Sequence, residues 1–555
     1  MLETVLRYGL LAGLGPGAGA ALGVRPIGGD LGFSGHGVWG SLIPASTLPA
    51  PVKLFAQIGP ILLGFWLVTG VGRGQANRAC GWGADRLCSV RMRLFFFPFL
   101  LLVNCCCWAA ANLPPAADQQ LARDLYRQLI EIKSGYASGA TTPVAEAMAA
   151  RLKAAGFADS DIFIGGAAPH KANLVVRYRG TGARKPILLL AHEDVVEAKR
   201  EDWSTDPFQF VEKGGYFYGR GTTDDKAQAA VWIANLIRYK REGFRPDRDI
   251  IVALTADEEG GGPYNGVQWL IQNHRELIDA ALCLNEGGMG EEKDGRKIAN
   301  EVQASEKYVI NFRLEVHNKG GHSSLPVPDN AIYHLAGALE RLSRFGFPFE
   351  LNEITRAYFR AESQIETGAV ARDLAAVANG SQGAMQRVAS ASPLWNAMLR
   401  TTCVATQLEG GHARNALPQL AAATVNCRVL PDEPVEYVES TLRRVLADPQ
   451  VKVSIMERVE RSPASRLDPE LMRTIERITK EMWPGVLTVP MMSTGATDGL
   501  YLRAAGIPTY GIQGFFLDVN DVRMHGRDER MPVQSFYEGE TFLYRLVKAL
   551  CTQGE

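Results

Sequence analysis

The chain has 555 residues, 59 Lys+Arg against 60 Asp+Glu, and 46% hydrophobic residues. That length is too great for one hydrophobic core and implies two or more domains. The balanced charge, with no basic run and no basic–aromatic ribbon, argues against a nucleic-acid partner.

Residues 1 to about 91 are rich in Gly, Ala and Pro and carry one apolar stretch, Leu54 to Val71, near the lower limit for a membrane span. Arginines at 73, 78, 86, 91 and 93 follow it. From Met92 the sequence reads as a secretory signal: a basic start, a short apolar core and a small-residue site at Ala109 to Ala111. Two accounts fit. Either Met92 is the start, or both apolar segments anchor the protein with the Arg-rich stretch in the cytoplasm. Both export the body to a periplasmic or extracellular space and confine membrane contact to residues 1–112.

Beyond Pro114 and Pro115 the composition is that of a globular domain. Leu121, Leu125, Leu129 and Ile132 recur at helical spacing. The pattern predicts a helix over 143–155, strands over 173–178 and 186–190, a helix over 226–241, a strand over 249–255, a helix over 267–274 and a strand over 280–284. Strands alternating with helices predict an α/β fold with a mostly parallel sheet covered by helices. At Tyr308 the pattern changes. Strands are predicted over 308–317, 424–430 and 451–457, helices over 329–343 and 435–446, and an inserted helical stretch over about 350–400. This is the economy of a small α+β lid. The α/β pattern resumes with a helix over 471–482 and strands near 486–491 and 507–512. The expected organisation is an extension (1–112), a catalytic domain in two parts (113–303 and 463–555) and an inserted lid (304–462). The nine cysteines show no metal-ligand spacing, and Cys283 and Cys427 fall in strand-like runs, where they read as buried small residues rather than disulfide partners.

Residues able to bind metal cluster at strand ends. The run Val252–Ala256 ends in Asp257, Glu258, Glu259 and three glycines. Buried carboxylates there are costly unless a cation or proton offsets them. One glutamate, Glu259, suits a ligand; its neighbour Glu258 suits a general base. Leu188-Leu-Leu-Ala-His192-Glu-Asp194 places His192 and Asp194 on one strand face. Imidazole is a good zinc ligand and commonly leans on a carboxylate. Tyr218-Gly-Arg-Gly-Thr-Thr-Asp224-Asp-Lys226 offers Asp224, whose two oxygens can bridge two cations, and Leu282-Cys-Leu-Asn-Glu286 offers another strand-end carboxylate. His525 lies far along the chain. Each cluster alone also reads as an ordinary strand end or helix cap. Together, two His and three carboxylates fit two metal ions sharing one carboxylate, a centre suited to amide hydrolysis.

The ordered set His192-x-Asp194, Gly219-Arg-Gly…Asp224-Asp-Lys226, Asp257-Glu-Glu259, Asn285-Glu286-Gly and His525 resembles the di-zinc metallopeptidase family of aminoacylase, carboxypeptidase G, carboxypeptidase S and carnosinase-type dipeptidases, over about residues 115–550. Asn-Glu-Gly-Gly and the inserted helices look closest to the carboxypeptidase S and N-fatty-acyl-amino-acid hydrolase branch. The resemblance implies a zinc-exopeptidase-like fold with a ferredoxin-like lid that also mediates a homodimer. It implies two Zn2+ ions: His192 and Glu286 on one, Glu259 and His525 on the other, Asp224 between them. Ligand type alone leaves Co2+ or Mn2+ as substitutes. Asp194 would orient His192, and Glu258 would act as base and then acid. In the lid, the resemblance gives His322 to the scissile carbonyl, in many relatives from the partner subunit, and Asn415 and Arg428 to the substrate. Arg428 would pair with a substrate carboxylate, which Gly495 and Thr497 would also receive. Asn285 departs from the Asp often found in relatives, and the N-terminal extension is a second departure. The expected activity is zinc-dependent cleavage of a small peptide or N-acyl amino acid bearing a free carboxylate. The alternatives are deacylation or deacetylation of a small metabolite, or a non-catalytic binding module.

Overall fold

The computed structural model describes residues 112–457 and 461–552. The sequence features assigned above to residues 1–111, the signal or anchor among them, lie outside the described residues. None of the described helices is long and apolar enough to cross a membrane.

The first part of the catalytic body supplies β1 (Ile162–Ala168), β2 (Lys171–Tyr178), β3 (Ile187–His192), β4 (Ile250–Thr255), β5 (Leu282–Asn285), β6 (Gly290–Lys293) and β7 (Arg296–Glu306). The lid contributes β8 (Tyr308–His317), β9 (Thr402–Gly410), β10 (Leu420–Val429) and β11 (Lys452–Ile455). The chain then returns with β12 (Leu487–Ser493), β13 (Thr509–Gly511) and β14 (Phe516–Asp518). The ten-stranded main sheet runs β1-β2-β4-β3-β5-β13-β7-β6-β14, with β12 beside β7. Its centre, β4-β3-β5-β13, is parallel throughout. The sheet is mixed, because β1 and β2 pair antiparallel with their neighbours and β6 pairs antiparallel with β7.

Parallel central strands are covered on both faces and read as continuous apolar runs. Here Ile187 to Ala191 and Ile250 to Leu254 are fully buried. Helices Ala116–Glu131, Lys226–Glu242 and Val533–Leu550 fill one face through Leu125, Trp232, Phe536 and Phe542. The other face is closed by helix Gly266–Asn273, with Val267 and Leu270 against Leu188 and Ile251.

The lid sheet is antiparallel, in order β9-β10-β8-β11, and carries its own core of Phe312, Leu314, Leu335, Val425 and Leu442. The four helices between Glu353 and Leu399 do not join that core. The first of them, Glu353–Ile365, lies on β12 and β7 and the others stack on it in succession, and Phe359, Leu374 and Trp395 extend the main core instead. One residue, Lys307, separates β7 from β8. It is fully buried, and its ammonium donates to the carbonyls of Ala397 and Arg400 at 2.7 Å each, tying the junction to the end of the last inserted helix.

Cys283 is a buried free thiol, as its strand-like surroundings predict. Cys427 is different: it forms a disulfide with Cys403. Strand β9, absent from the sequence reading, lies antiparallel to β10 and sets the two cysteines directly opposite. The bond closes a loop of 24 residues in sequence separation, a constraint worth about 3 kcal/mol in the chain-entropy account. A C403S/C427S variant will lower the denaturation midpoint of the lid. A reductant will lower that of the parent by a similar amount, and will leave the variant unchanged.

Candidate active site

Because β4, β3 and β5 are parallel neighbours, their C-terminal ends open at the same edge, where ligands gather in such sheets. This edge receives His192 at the end of β3, Glu258 and Glu259 just after β4, and Glu286 just after β5. Asp224 arrives on the loop before helix Lys226–Glu242. That loop turns through Gly221 at φ +88°, where a Cβ would strike the Val195 side chain at 2.8 Å. His525 comes from the segment after β14. All five sequence-predicted ligands therefore converge. His192, Asp224 and Glu286 form one group, Asp224, Glu259 and His525 a second, and within each group the candidate ligand atoms lie within 4.8 Å of one another.

Asp224 belongs to both groups through different oxygens. His192 Nε2 is 2.8 Å from Oδ1, and His525 Nε2 is 2.9 Å from Oδ2. Glu259 Oε1 lies 3.0 Å from the same His525 nitrogen, and Glu286 Oε1 lies 3.9 Å from His192 Nε2. His192 Nδ1 is 2.9 Å from the backbone carbonyl of Asp194, which can only accept. The ring proton is thereby fixed on Nδ1, and Nε2 presents a lone pair to two carboxylates. That contact is repulsive unless a cation or a second proton lies between.

The donor set fits divalent metal ions. Four carboxyl groups, Asp224, Glu258, Glu259 and Glu286, face two imidazoles, so negative charge remains even with both rings protonated. The titration behaviour reflects the same imbalance. Hydrogen bonds to Asp224 and then to Glu259 push His525 up to about 10. Asp224, despite burial, is held below the usual carboxylate range by its bonds to His192 and His525. Burial, with Glu286 second, pushes Glu258 well above the carboxylate range. Metal ions would oppose that rise.

Asp194 does not hold His192 through its side chain, because β3 ends at His192 and strand alternation stops there. Its carboxylate is 3.8 Å from the ring and instead accepts the N–H groups of Glu258 and Glu259 at 3.1 and 3.0 Å. Asp194 thus positions the base candidate and a ligand together. Asp257 turns this loop at φ +63° and is a ligand to nothing in either group; it pairs with buried Lys171 at 2.7 Å.

Sequence reasoning missed Glu529. Its carboxylate accepts the N–H groups of Gly221, Thr223 and Asp224, the Thr223 hydroxyl and Arg220 Nη1 at 2.6 Å. Arg220 also donates to the carbonyls of His525 and Gly526. One buried ion pair therefore fixes the bridging aspartate and the distant histidine. Four residues past His525, Glu529 carries no spacing that marks it. Lys226 of the same motif is a brace: its buried ammonium donates to the carbonyls of Leu129 and Ile132 at the end of the first helix.

Two cavities adjoin the metal-ligand groups. One of about 260 Å³ includes Asp224, Glu258, Glu286, Met289, Met524 and His525. The other, about 900 Å³, runs from Glu258 and Glu259 to Arg428 on the lid, with Gly495 and Thr497 on its wall. The donors of these last two are not free for an anion as the sequence suggested. Gly495 N–H donates to Ser493, and both Thr497 N–H and its hydroxyl donate to Glu306 at 2.9 and 3.0 Å. Glu306 is itself buried against Arg503 at 2.7 Å. His322 and Asn415 sit together on an exposed two-stranded ribbon of the lid, where the Ser323 N–H donates to the Asn415 carbonyl, and neither lines either cavity.

Parallel strand ends that gather two carboxylate–histidine groups around a shared aspartate define a metal-assisted hydrolase. Residues 188–549 match the model of peptidase family M20/M25/M40, and the chain belongs to that family. It is accordingly a metallopeptidase or amidohydrolase acting on amide bonds. It is 28% identical over 379 residues to the human N-fatty-acyl-amino acid synthase/hydrolase PM20D1, spanning 67% of this chain and 75% of that protein. It is 30% identical over 393 residues to a probable carboxypeptidase S-like 2 of Dictyostelium discoideum, spanning 68% and 74%. Among solved structures, the M20 family metallo-carboxypeptidase Sso-CP2 from Sulfolobus solfataricus shares the fold, with a TM-score of 0.58 at 16% identity, over 77% of this chain and 98% of that one.

Replacing Glu529 with Gln will leave the protein folded but loosen Asp224 and His525 together. Metal affinity, measured by competition against a chelating dye, will fall about 10–100-fold. An unchanged affinity would remove Glu529 from the site's support.

Proposed function

We propose that the chain is a di-zinc hydrolase of N-acyl amino acids or small peptides with a free α-carboxylate. The observation that carries this reading is the sharing of Asp224 by two histidine–carboxylate groups, beside a cavity that runs from Glu258 and Glu259 past Arg428 on the lid. His192 and Glu286 would hold one zinc, Glu259 and His525 the other, with Asp224 bridging; Co2+ or Mn2+ would suit the same donors. When bound, such a pair lowers the pKa of water and polarises the scissile carbonyl. Glu258, held by Asp194 through its backbone, takes the proton of the attacking water and delivers it to the leaving amine. Arg428 receives the substrate carboxylate. The names of the human and Dictyostelium relatives support the acyl-amino-acid and carboxypeptidase alternatives within this class.

His322 and Asn415, exposed on the lid and outside the lining of their own chain's two site cavities, fit a homodimer in which each lid serves the partner's site. The open flank of the lid supports this: Val404 and Leu408 on β9 and Tyr333 on the adjacent helix are 59, 71 and 69% exposed, apolar surface suited to a partner. We also infer an exported protein, anchored or released by residues 1–112. The Cys403–Cys427 disulfide supports an oxidising compartment.

Glu258→Gln will retain its metal by elemental analysis while turnover of N-acyl amino acids and dipeptides falls about 10²–10⁴-fold. Full activity in a metal-replete variant would overturn the assignment of the base. Separately inactive Glu258→Gln and His322→Ala chains, mixed and allowed to exchange, will regain about a quarter of parental activity if sites are shared across a two-fold interface. No recovery after proven exchange would place His322 outside the partner's site.

A further inference from the structure

The far half of the larger cavity has a composition that the reaction itself does not require. Beyond Arg428, the lid wall continues through Asn311 to Glu457, and the opposite wall carries Gln268 and Gln272. On paired strands β8 and β10, Val309 stands opposite Arg428 and Asn311 opposite Asn426. Alternate residues share a face, so Arg428, Asn426 and Asn311 lie on one face, from which Arg428 and Asn311 line the cavity. The Asn426 amide donates to Asn311 Oδ1 at 2.7 Å, which turns the Asn311 NH2 group toward Glu457, to which it donates. The N–H of Met456 donates to the Asn311 carbonyl at 2.9 Å and holds the chain beside it. Among the described residues no carboxylate pairs with Arg428 and no cation pairs with Glu457.

The cavity therefore presents a cation on β10 and a carboxylate just past β11, on the far side of β8, two strand spacings across the sheet and roughly 10 Å away at the backbone. The remaining acids have other duties. Glu258 and Glu259 belong to the metal edge, and Asp498 is held by Thr255 and Asn265 at 2.9 and 2.6 Å. We propose that this is a subsite for a leaving amino acid with a basic side chain: its α-carboxylate on Arg428 and its side-chain cation on Glu457. Both side chains reach into the cavity, and the four-carbon stem of lysine bridges the gap left between their charged ends. Asn311 and Asn426 fix the carboxylate of Glu457, and the glutamines line a wall better suited to a polar chain than to a bulky apolar one. The proposal rests on the acyl-amino-acid reading above and makes it specific.

The test compares kcat/KM for Nα-acetyl-L-lysine and Nα-acetyl-L-norleucine, whose side chains differ in the terminal charge, on the zinc-loaded full chain. The expected ratio is about fivefold in favour of lysine, the size of a partly solvated ion pair. It will fall to about one in Glu457→Gln and below one in Glu457→Lys. A ratio near one in the parent, or the same ratio in parent and Glu457→Gln, would overturn the proposal. If neither substrate is cleaved, the acyl-amino-acid reading fails. The subsite is then decided by calorimetry with the free product amino acids: tighter binding of L-lysine than L-norleucine, abolished by Glu457→Gln, sustains it, and equal binding overturns it.

Discussion

One carboxylate serving two positive centres is the constraint on which the site is built. The two oxygens of Asp224 face different histidines, one from the sheet and one from a segment three hundred residues later. A bridging group has no latitude, because a shift that favours one centre withdraws from the other. The surrounding structure is correspondingly rigid. Glu529 grips three N–H donors around Asp224 and pairs with Arg220, and Arg220 in turn holds the backbone of His525. Lys226 pins the far side of the loop to the first helix. Buried ion pairs of this kind contribute little net stability against apolar alternatives; here they fix geometry.

The same logic explains what was legible in the sequence. The ligands sit at the ends of apolar strands, and a parallel sheet has one ligand-binding edge, so strand-end carboxylates and histidines could be gathered without knowing the strand order. The supporting residues left no such trace. Glu529 and Glu306 act through backbone amides and buried arginines distant in sequence, and a lone glutamate in a polar stretch looks like surface. Asp194 meets the His192 ring through its backbone carbonyl, while its carboxylate turns to the N–H groups of Glu258 and Glu259, because strand alternation stops at His192.

Among the elements, β7 escaped notice because it buries Asn300, Gln303 and Glu306, polar side chains that bond to Thr479, Arg503 and Thr497. A hydrophobic pattern cannot reveal a strand whose interior is polar and paired. Strand β9 was missed for the opposite reason: most of its side chains are exposed, and only its register against β10 reveals Cys403 as the partner of Cys427. The central parallel strands, by contrast, are uniformly apolar, and the pattern found all of those that carry ligands.

The inserted helices alter what can be exchanged between proteins of this architecture. They interrupt the lid in sequence but complete the interior of the catalytic body, with Phe359 and Trp395 buried there, while Lys307 fastens the junction to their last turn. A lid cut out as a single block, from Lys307 to the end of β11, would take part of the other domain's interior with it. The modular unit is discontinuous: two pieces, one on either side of the helices, that share a private core and are stapled by the Cys403–Cys427 bond only within the second. Recombination, whether by evolution or at the bench, would have to move both pieces at once and leave the helices behind.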